Sequence, residues 1–487
     1  MAHNCAIQCC TSTDRDSKTV AIRVEEEGLS FLTITLPNFG KDFERSLDRG
    51  WVDTDLFQGF GFRLGLPVFL QGFLCQVFNT GDGRLLNDPS IDAIRSVRQL
   101  TLMFGKVNLP CTDARQRKAI KGFLETDEEI QHHDAKLRDL LLGREGGIPE
   151  TVNGPCGPDC LHFASDEGPM QAGSVSPNGD ILSTYQWSAH AECIGQAIGP
   201  VSPGRDLLAV WQRLFGVILQ PMDADLYASR FDRFHPRHGG GATADRLVGN
   251  QKYDNADWPL RLNDVLPWGD FGLPNWRFAL SKPARLLDPG EERPVKVTLV
   301  PKTLKTPRII AIEPTAMQFA QQSVLSALSQ GFDENDYLSD FLGYRKPPEQ
   351  THSRGVSTSV PQGVFGQELN QRLAQVGSIN GSLATIDLSE ASDRVSNLLV
   401  RFLLHRYRYV AKVVDATRSQ KADVPGQGVV SLNKFASMGS ALCFPIESMV
   451  FLAIVMYSIG RQRHNRPLTT REIHLLRGQV RVYGDDI

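Results

Sequence analysis

Val480-Arg-Val-Tyr-Gly-Asp-Asp-Ile487 is the stretch on which the reading of this 487-residue sequence turns. Apolar residues alternate at Val480 and Val482, Gly484 suits a tight turn, and Asp485 and Asp486 stand together at its tip. The pattern predicts a strand running into a hairpin that presents paired negative charge. Adjacent carboxylates repel, so a fold that displays them calls for a compensating cation, and oxygen-only donors suit Mg²⁺. Gly-Asp is also an ordinary hairpin turn, so the weight of this reading rests on what lies upstream.

About a hundred residues earlier, Leu383 to Leu388 reads as a short buried strand with Asp387 at its C-terminal end, an unexpected place for an acid. The period then becomes helical, with Val395, Leu398, Leu399, Phe402 and Leu403 on one face. Asp393 falls in the first turn of that helix, where the dipole favours negative charge, so a purely structural role is open to it. A strand-end aspartate followed by a hairpin-tip Asp-Asp matches the palm of template-directed polymerases. There, two Mg²⁺ ions roughly 4 Å apart activate the primer hydroxyl and stabilise the leaving pyrophosphate.

Composition sets the frame. With 41% hydrophobic and 22% charged residues the chain is ordinary globular sequence, neither fibrous nor mostly disordered. A net charge of -3 gives no global basic signature, so a nucleic-acid surface must be a local patch. Nine scattered cysteines read as reduced thiols. Met1 to Lys18 has no apolar signal region, and Met449 to Ile459 reads as a buried helix too short for a membrane span.

Leu32–Leu36 and Val68–Val77 are strand-like. Thr126 and Glu129 form a capping box that predicts a helix start, with the helix continuing through Ile130, Leu137 and Leu141 to a stop at Gly143. The Gly- and Pro-dense region after it contains Cys156, Cys160, His162, His190 and Cys193; the order and spacing are wrong for a zinc deaminase, and a structural zinc is the lesser reading. Phe234–Asp245 combines three glycines with His235, Arg237 and His238 and could cradle phosphate on backbone amides, without the residues of a P-loop. Arg293–Gln322 predicts a hairpin bearing Lys296, Lys302, Lys305 and Arg308, almost free of acids and suited to triphosphate or template backbone, then a helix closed at Gly331. In Asn433–Glu447, the small residues Ala436 to Ala441 would let backbone approach a ribose or base closely.

With these residues together, the chain resembles the replicase of the small single-stranded RNA bacteriophages, the Leviviridae type of RNA-dependent RNA polymerase. Asp387-Leu-Ser-Glu-Ala-Ser-Asp393 corresponds to motif A, Ser437-Met-Gly439-Ser440 through Phe444 and Glu447-Ser448 to motif B, and Tyr483-Gly-Asp485-Asp486-Ile487 to motif C. Pro301 to Arg308 with Glu313-Pro314 resembles motif F, and Arg237-His238-Gly to Ala244 a fingers signature; the likeness runs from about residue 230. Ser440 and Cys443 stand where the family often has Asn and Thr, which alters the hydrogen bonding expected of motif B.

The resemblance implies an α+β right-hand polymerase fold with an antiparallel palm sheet backed by helices. Its parts would be an N-terminal region and part of the fingers (1–230), fingers with the basic hairpin (231–380), and an incomplete palm (381–487) with the thumb missing. It implies Asp387, Asp485 and Asp486 as catalytic metal ligands for two Mg²⁺ ions, replaceable by Mn²⁺. It further implies Lys302, Lys305, Arg308, Asp393, Ser437, Gly439 and Ser440 as nucleotide-binding residues. RNA template and product, ribonucleoside triphosphates, host elongation factors Tu and Ts and a ribosomal protein would be its partners, in the cytoplasm of a bacterial host and without a membrane.

Two other readings compete. A reverse transcriptase also carries Tyr-x-Asp-Asp, but usually has a bulky residue soon after the first aspartate, where this chain has Ser389. A non-catalytic RNA-binding protein on a polymerase fold is disfavoured by acids intact at all three positions. The sequence stops one residue after the paired acids, and the expectation is a partial record of a longer polymerase that is inactive as it stands.

Overall fold

In the computed structural model, residues 10–142, 202–343 and 367–487 are described, apart from 106, 108, 274–276, 278–283 and 303. They form two compact units, one of residues 1–122 with 299–309, the other of 123–298 with 310–487.

The first unit is helical. α1 (Cys10–Glu27) is followed by a π-helical turn over Phe31–Thr35, α2 (Leu36–Arg49) and α3 (Ile91–Leu102). Its core is aromatic: Phe39 meets Phe57, Phe60 and Phe69 edge-on at 4.7, 4.8 and 5.3 Å. The strand expected at Leu32–Leu36 is helix instead. Leu36, Phe39, Gly40 and Phe43 are buried at helical spacing, and Thr33 Oγ1 bonds back to the Leu29 carbonyl, so the 3.6-residue period overrides the β-branched run. Val68–Val77 is not a strand either. Leu66–Pro67 pairs with Phe62–Arg63, then Leu70 at φ 54 reverses the chain into a single helical turn at Gln71–Leu74.

α4 (Asp113–Leu142) is a single thirty-residue helix. Thr126 and Glu129 therefore lie inside a helix and do not start one. Their side chains are used elsewhere, Thr126 Oγ1 donating to Glu390 at 3.2 Å and Glu129 pairing with Arg394 at 2.9 Å.

The second unit holds the larger core. α5 (Pro203–Tyr227) supplies Trp211, Leu214, Phe215 and Ile218. The basic hairpin is present as β1 (Val295–Val300) and β2 (Arg308–Ile312), followed by α6 (Thr315–Asp333), the expected helix, which ends two residues beyond Gly331 and buries Phe319, Ala320, Val324, Ala327 and Leu328. α7 (Asp336–Leu342) and α8 (Glu368–Asn380) precede α9 (Asn397–Leu404) and α10 (Arg408–Thr417). β3 (Lys421–Val424) and β4 (Gly428–Ser431) form an antiparallel hairpin. The chain closes with α11 (Cys443–His464) and α12 (Thr470–Leu475). The fold is α+β, and its four-stranded sheet has the order β2-β1-β3-β4. This sheet is mixed, since β1 pairs parallel with β3 at Val295↔Ala422 and Lys296↔Asp423. α11 is long and apolar enough to cross a membrane by composition alone, yet Met449, Leu452, Ala453 and Met456 are fully buried within the unit.

A polar knot ties this core to the segment that follows the β3–β4 hairpin. Arg418, 6% exposed, donates through Nε to the Phe435 carbonyl at 3.0 Å and through Nη2 to those of Lys434, at 3.0 Å, and Leu432. Burial pulls its pKa down to about 10 against the opposing pull of Asp415. Burial alone would raise the Asp415 carboxyl, but Arg401, whose Nη2 lies 2.7 Å away, and Arg418 hold it below the usual range. Arg261 adds donors to the carbonyls of Asp415, Ala416 and Arg418 at 2.8 to 2.9 Å. Replacing Arg418 with Met keeps the stem and strands three buried carbonyls. The expected result is a loss of about 3–5 kcal/mol, read as a lower urea midpoint at unchanged slope.

Candidate functional site

The paired acids sit on a turn that α11 holds from below. Tyr483 and Asp486 exchange backbone bonds of 2.9 and 3.2 Å, and Gly484 takes φ +65, as the first central position of a type II′ turn requires. Gly484 N–H donates to Ser448 Oγ at 2.9 Å, while that hydroxyl donates to the Phe444 carbonyl at 2.8 Å. A Cβ at Gly484 would stand 2.4 Å from the Phe444 ring, which also packs edge-on to Tyr483 at 4.9 Å. The approach to the turn is anchored in the core but makes no strand ladder: Val482 is fully buried, and its N–H donates to the Phe341 carbonyl at 2.8 Å.

Asp387 is brought to the same place. Ile386 and Ile487 exchange both backbone hydrogen bonds, at 2.7 and 3.2 Å, which makes Asp387↔Asp486 the adjoining non-hydrogen-bonded pair. In that kind of pair the two side chains share one face and stand at their closest. The strand expected at 383–388 is reduced to this bridge, and its residues are exposed or half-buried, with Ile386 50% exposed; on one side Leu383 lies against Gly377 of α8, where a Cβ would stand 2.6 Å from the Leu383 carbonyl oxygen. Asp485 is exposed at the tip, and Gln367 Nε2 donates to Asp486 Oδ2 at 2.7 Å.

Glu447, which the sequence marks only as part of a motif, stands electrostatically close to these acids. Burial first, then the charges of Asp485 and Asp393, push its carboxyl up to about 8, so it is mostly protonated at neutral pH. Among the described residues no three His, Cys, Asp or Glu side chains are gathered around one point as a finished metal cage. The donor set nevertheless fits a hard cation: the ligands are all oxygen, and two are opposed on one face.

Asp393 is not in the first turn of α9. It lies in a 3₁₀ turn over Ala391–Arg394, ahead of the helix that Ser396 caps, and it is bound to Lys434 Nζ at 3.0 Å. Of the small-residue loop, Ser437 is buried with no hydrogen-bond partner for its hydroxyl among the described residues. Gly439 at φ +138 packs so tightly on β2 that a Cβ would lie 1.9 Å from the Ala311 carbonyl oxygen. The close approach expected there is thus made to protein backbone. Ser440 N–H donates to the Ser437 carbonyl at 3.1 Å.

Lys302, Lys305 and Arg308 are exposed and belong to the first compact unit, whereas the acids belong to the second. Between them Leu304 is buried, and its carbonyl accepts from Arg115 at 2.8 Å, which pins the middle of the turn. In the glycine loop it is carbonyls that are engaged: those of Gly239 and Gly241 accept from buried Lys252, and the His238 ring stacks on Phe319 at 4.3 Å. Cys156, Cys160, His162, His190 and Cys193 lie outside the described residues.

Residues 364–487 match the family RNA replicase, beta-chain. The RNA-directed RNA polymerase beta chain of Escherichia phage MS2 is 41% identical over 122 residues, 25% of this chain and 19% of that protein. The corresponding protein of Enterobacteria phage fr is 42% identical over 121 residues, again 25% and 19%. The beta subunit of Escherichia virus Qbeta is 32% identical over 197 residues, 39% of this chain and 26% of the relative. The chain thus covers about a quarter or less of the length of the curated relatives it matches.

Two outcomes follow from the geometry. Gly484→Ala should cost at least about 1–2 kcal/mol for the left-handed backbone alone, seen as a lowered melting temperature. Glu313 behind the small-residue loop is fully buried and pushed up to about 7, mainly by burial, with Ser419 donating to it. Its folded pKa exceeds the unfolded value of 4.5, so the folded state holds the extra proton between these values. The associated stability is complete below pH 4.5 and is lost as pH rises through about 7. In Glu313→Gln, urea melts should show a flatter pH dependence across that window and greater relative stability above it.

Proposed function

We propose that this chain, whose residues 364–487 match the family RNA replicase, beta-chain, carries the catalytic palm of a phage RNA-directed RNA polymerase, with fingers in 231–380 and in part of 1–230. The observation that carries the reading is the pairing of Asp387 with Asp486 on one face, beside Asp485 at a glycine turn. It is the arrangement that nucleotidyl transfer needs: carboxylates from two neighbouring segments converging where the primer 3′ oxygen attacks the α-phosphorus and the bond to pyrophosphate breaks.

Asp387, Asp485 and Asp486 would hold Mg²⁺, or Mn²⁺ in its place. Divalent cations, when bound, supply charge neutralisation and nucleophile activation. The protein's own part is orientation. The Ser448 hydroxyl fixes the turn, and Gln367 directs one oxygen of Asp486. Lys302, Lys305 and Arg308 would receive the triphosphate, Asp393 would accept a ribose hydroxyl, and Ser437, Gly439 and Ser440 would border the ribose. RNA template and ribonucleoside triphosphates are the substrates in this reading. Host elongation factors Tu and Ts and a ribosomal protein are its partners, to be sought by co-purification from the bacterial cytoplasm.

The deciding assay is RNA-templated incorporation of ribonucleotides against deoxyribonucleotides, with Mg²⁺ and with chelator, for the chain alone and joined to the C-terminal remainder of a phage polymerase. No incorporation by either form overturns the reading. Asp485→Asn should abolish incorporation while leaving the melting temperature equal or slightly higher, since it removes a ligand charge and relieves repulsion. Lys302→Ala and Arg308→Ala should raise the KM for nucleotides by about ten- to a hundredfold, the equivalent of one charge-assisted hydrogen bond. If only template affinity falls, the hairpin serves the RNA backbone.

A further inference from the structure

Lys434 is the least exposed cation in the neighbourhood of the site, its side chain 0% accessible. Its place is fixed on every side. The backbone N–H donates to Asp127 Oδ1 at 3.0 Å, the carbonyl accepts from Arg418, and Phe435 N–H donates to the Val395 carbonyl at 2.7 Å. The ammonium lies over the face of Phe123, with Nζ 3.4 Å from the ring centroid, and donates to Asp393 Oδ1 at 3.0 Å. A lysine is ordinarily a mobile point charge on a flexible stem. Here it is delivered to one carboxylate oxygen by a backbone bonded at both ends.

Asp393 has need of it. The carboxylate is largely buried, with 19% of its side chain accessible, and its surroundings add the negative charges of Glu390 and Asp127. Burial foremost, with Glu390 and Asp127, raises its pKa even against the opposing pull of Lys434, so losing Lys434 would favour the protonated acid further, and a protonated carboxyl is a poorer hydrogen-bond acceptor. The same Asp127 that faces Asp393 also accepts from Asn433 N–H and Asn433 Nδ2, so α4 carries both the brace and part of the opposing charge.

Resting on the proposed function, we infer that Lys434 is a positioning residue for substrate choice: it holds Asp393 ionised and turned so that its accessible part accepts the 2′-hydroxyl of an incoming ribonucleotide, and α4, through Asp127 and Phe123, holds Lys434. The selectivity of the site for ribonucleotides then depends on a residue that touches no nucleotide.

The test is equilibrium dialysis of the full chain against ATP and 2′-deoxyATP with Mg²⁺, for the unsubstituted protein and for Lys434→Met, Lys434→Arg, Asp393→Asn and the Lys434→Met/Asp393→Asn double variant, each checked by thermal melting. The unsubstituted chain should prefer ATP by at least about tenfold, the equivalent of one hydrogen bond to a charged group. Lys434→Met should bring that ratio near one, the double variant should lose no more than Asp393→Asn alone, and Lys434→Arg should keep most of it. A preference that persists in Lys434→Met, or equal weakening of both nucleotides with an unchanged ratio, overturns the inference and leaves the proposed function standing. Absence of any ATP preference in the unsubstituted chain overturns both. Should Lys434→Met fail to melt cooperatively, Phe123→Leu serves in its place: it removes the ring beneath the ammonium and should lower the ratio without abolishing it, and an unchanged ratio there overturns the inference.

Discussion

The guanidinium of Arg418 is the constraint on which the second unit depends. Burying a cation is expensive unless its donors are satisfied, and here they are spent on the carbonyls of Leu432, Lys434 and Phe435, a stretch with no ladder of its own beyond isolated bridging. Asp415 supplies the countercharge and is itself shared with Arg401. The knot fixes a segment that leads into the small-residue loop and then into α11, whose Ser448 and Phe444 seat the acidic turn. Local geometry at the acids is thus inherited from charge neutralisation well away from them.

Sequence reading found what obeys local rules. The period of α6 and α9, the β1–β2 hairpin between its prolines and the glycine turn at 484 all follow from spacing and turn chemistry, and all are present. It failed where packing overrides propensity. Thr126 and Glu129 look like a helix start, but the helix already runs through them, and their side chains serve Glu390 and Arg394, more than two hundred and fifty residues away in the chain. Leu32–Leu36 has strand composition and helical burial. Of the candidate site, the three aspartates and Asp393 were legible as types in order. Gln367, Lys434 and Asp127 were not, because a lone lysine or glutamine carries no signal until the fold shows which carboxylate it meets.

The acids of α4 in this unit are held by donors of several kinds, backbone N–H, hydroxyl and guanidinium. Acids that α4 contributes, Asp127, Glu129 and Asp134, each meet a donor from the 390–434 region. Asp134 is raised by burial in spite of its bond from Ser396, so this helix contributes partly desolvated acids and not merely a solvated face. Such a network costs desolvation and returns fixed geometry.

The meeting of Gly439 with Ala311 has a consequence for how such chains can diverge. The contact on the β2 side is a main-chain carbonyl, and the neighbouring Ala311 N–H donates to the Met438 carbonyl at 2.8 Å. The demand on position 439 is therefore absolute, since any side chain would collide with an atom that every residue possesses. The demand that the backbone contact makes at position 311 is only that proline be absent, because its hydrogen bond needs an N–H. Evolutionary drift across this seam should be lopsided, with one side frozen as glycine and the other free to change within the space its neighbours allow. No compensating change at 311 could release 439, so the two positions would leave little trace of covariation despite lying in direct contact.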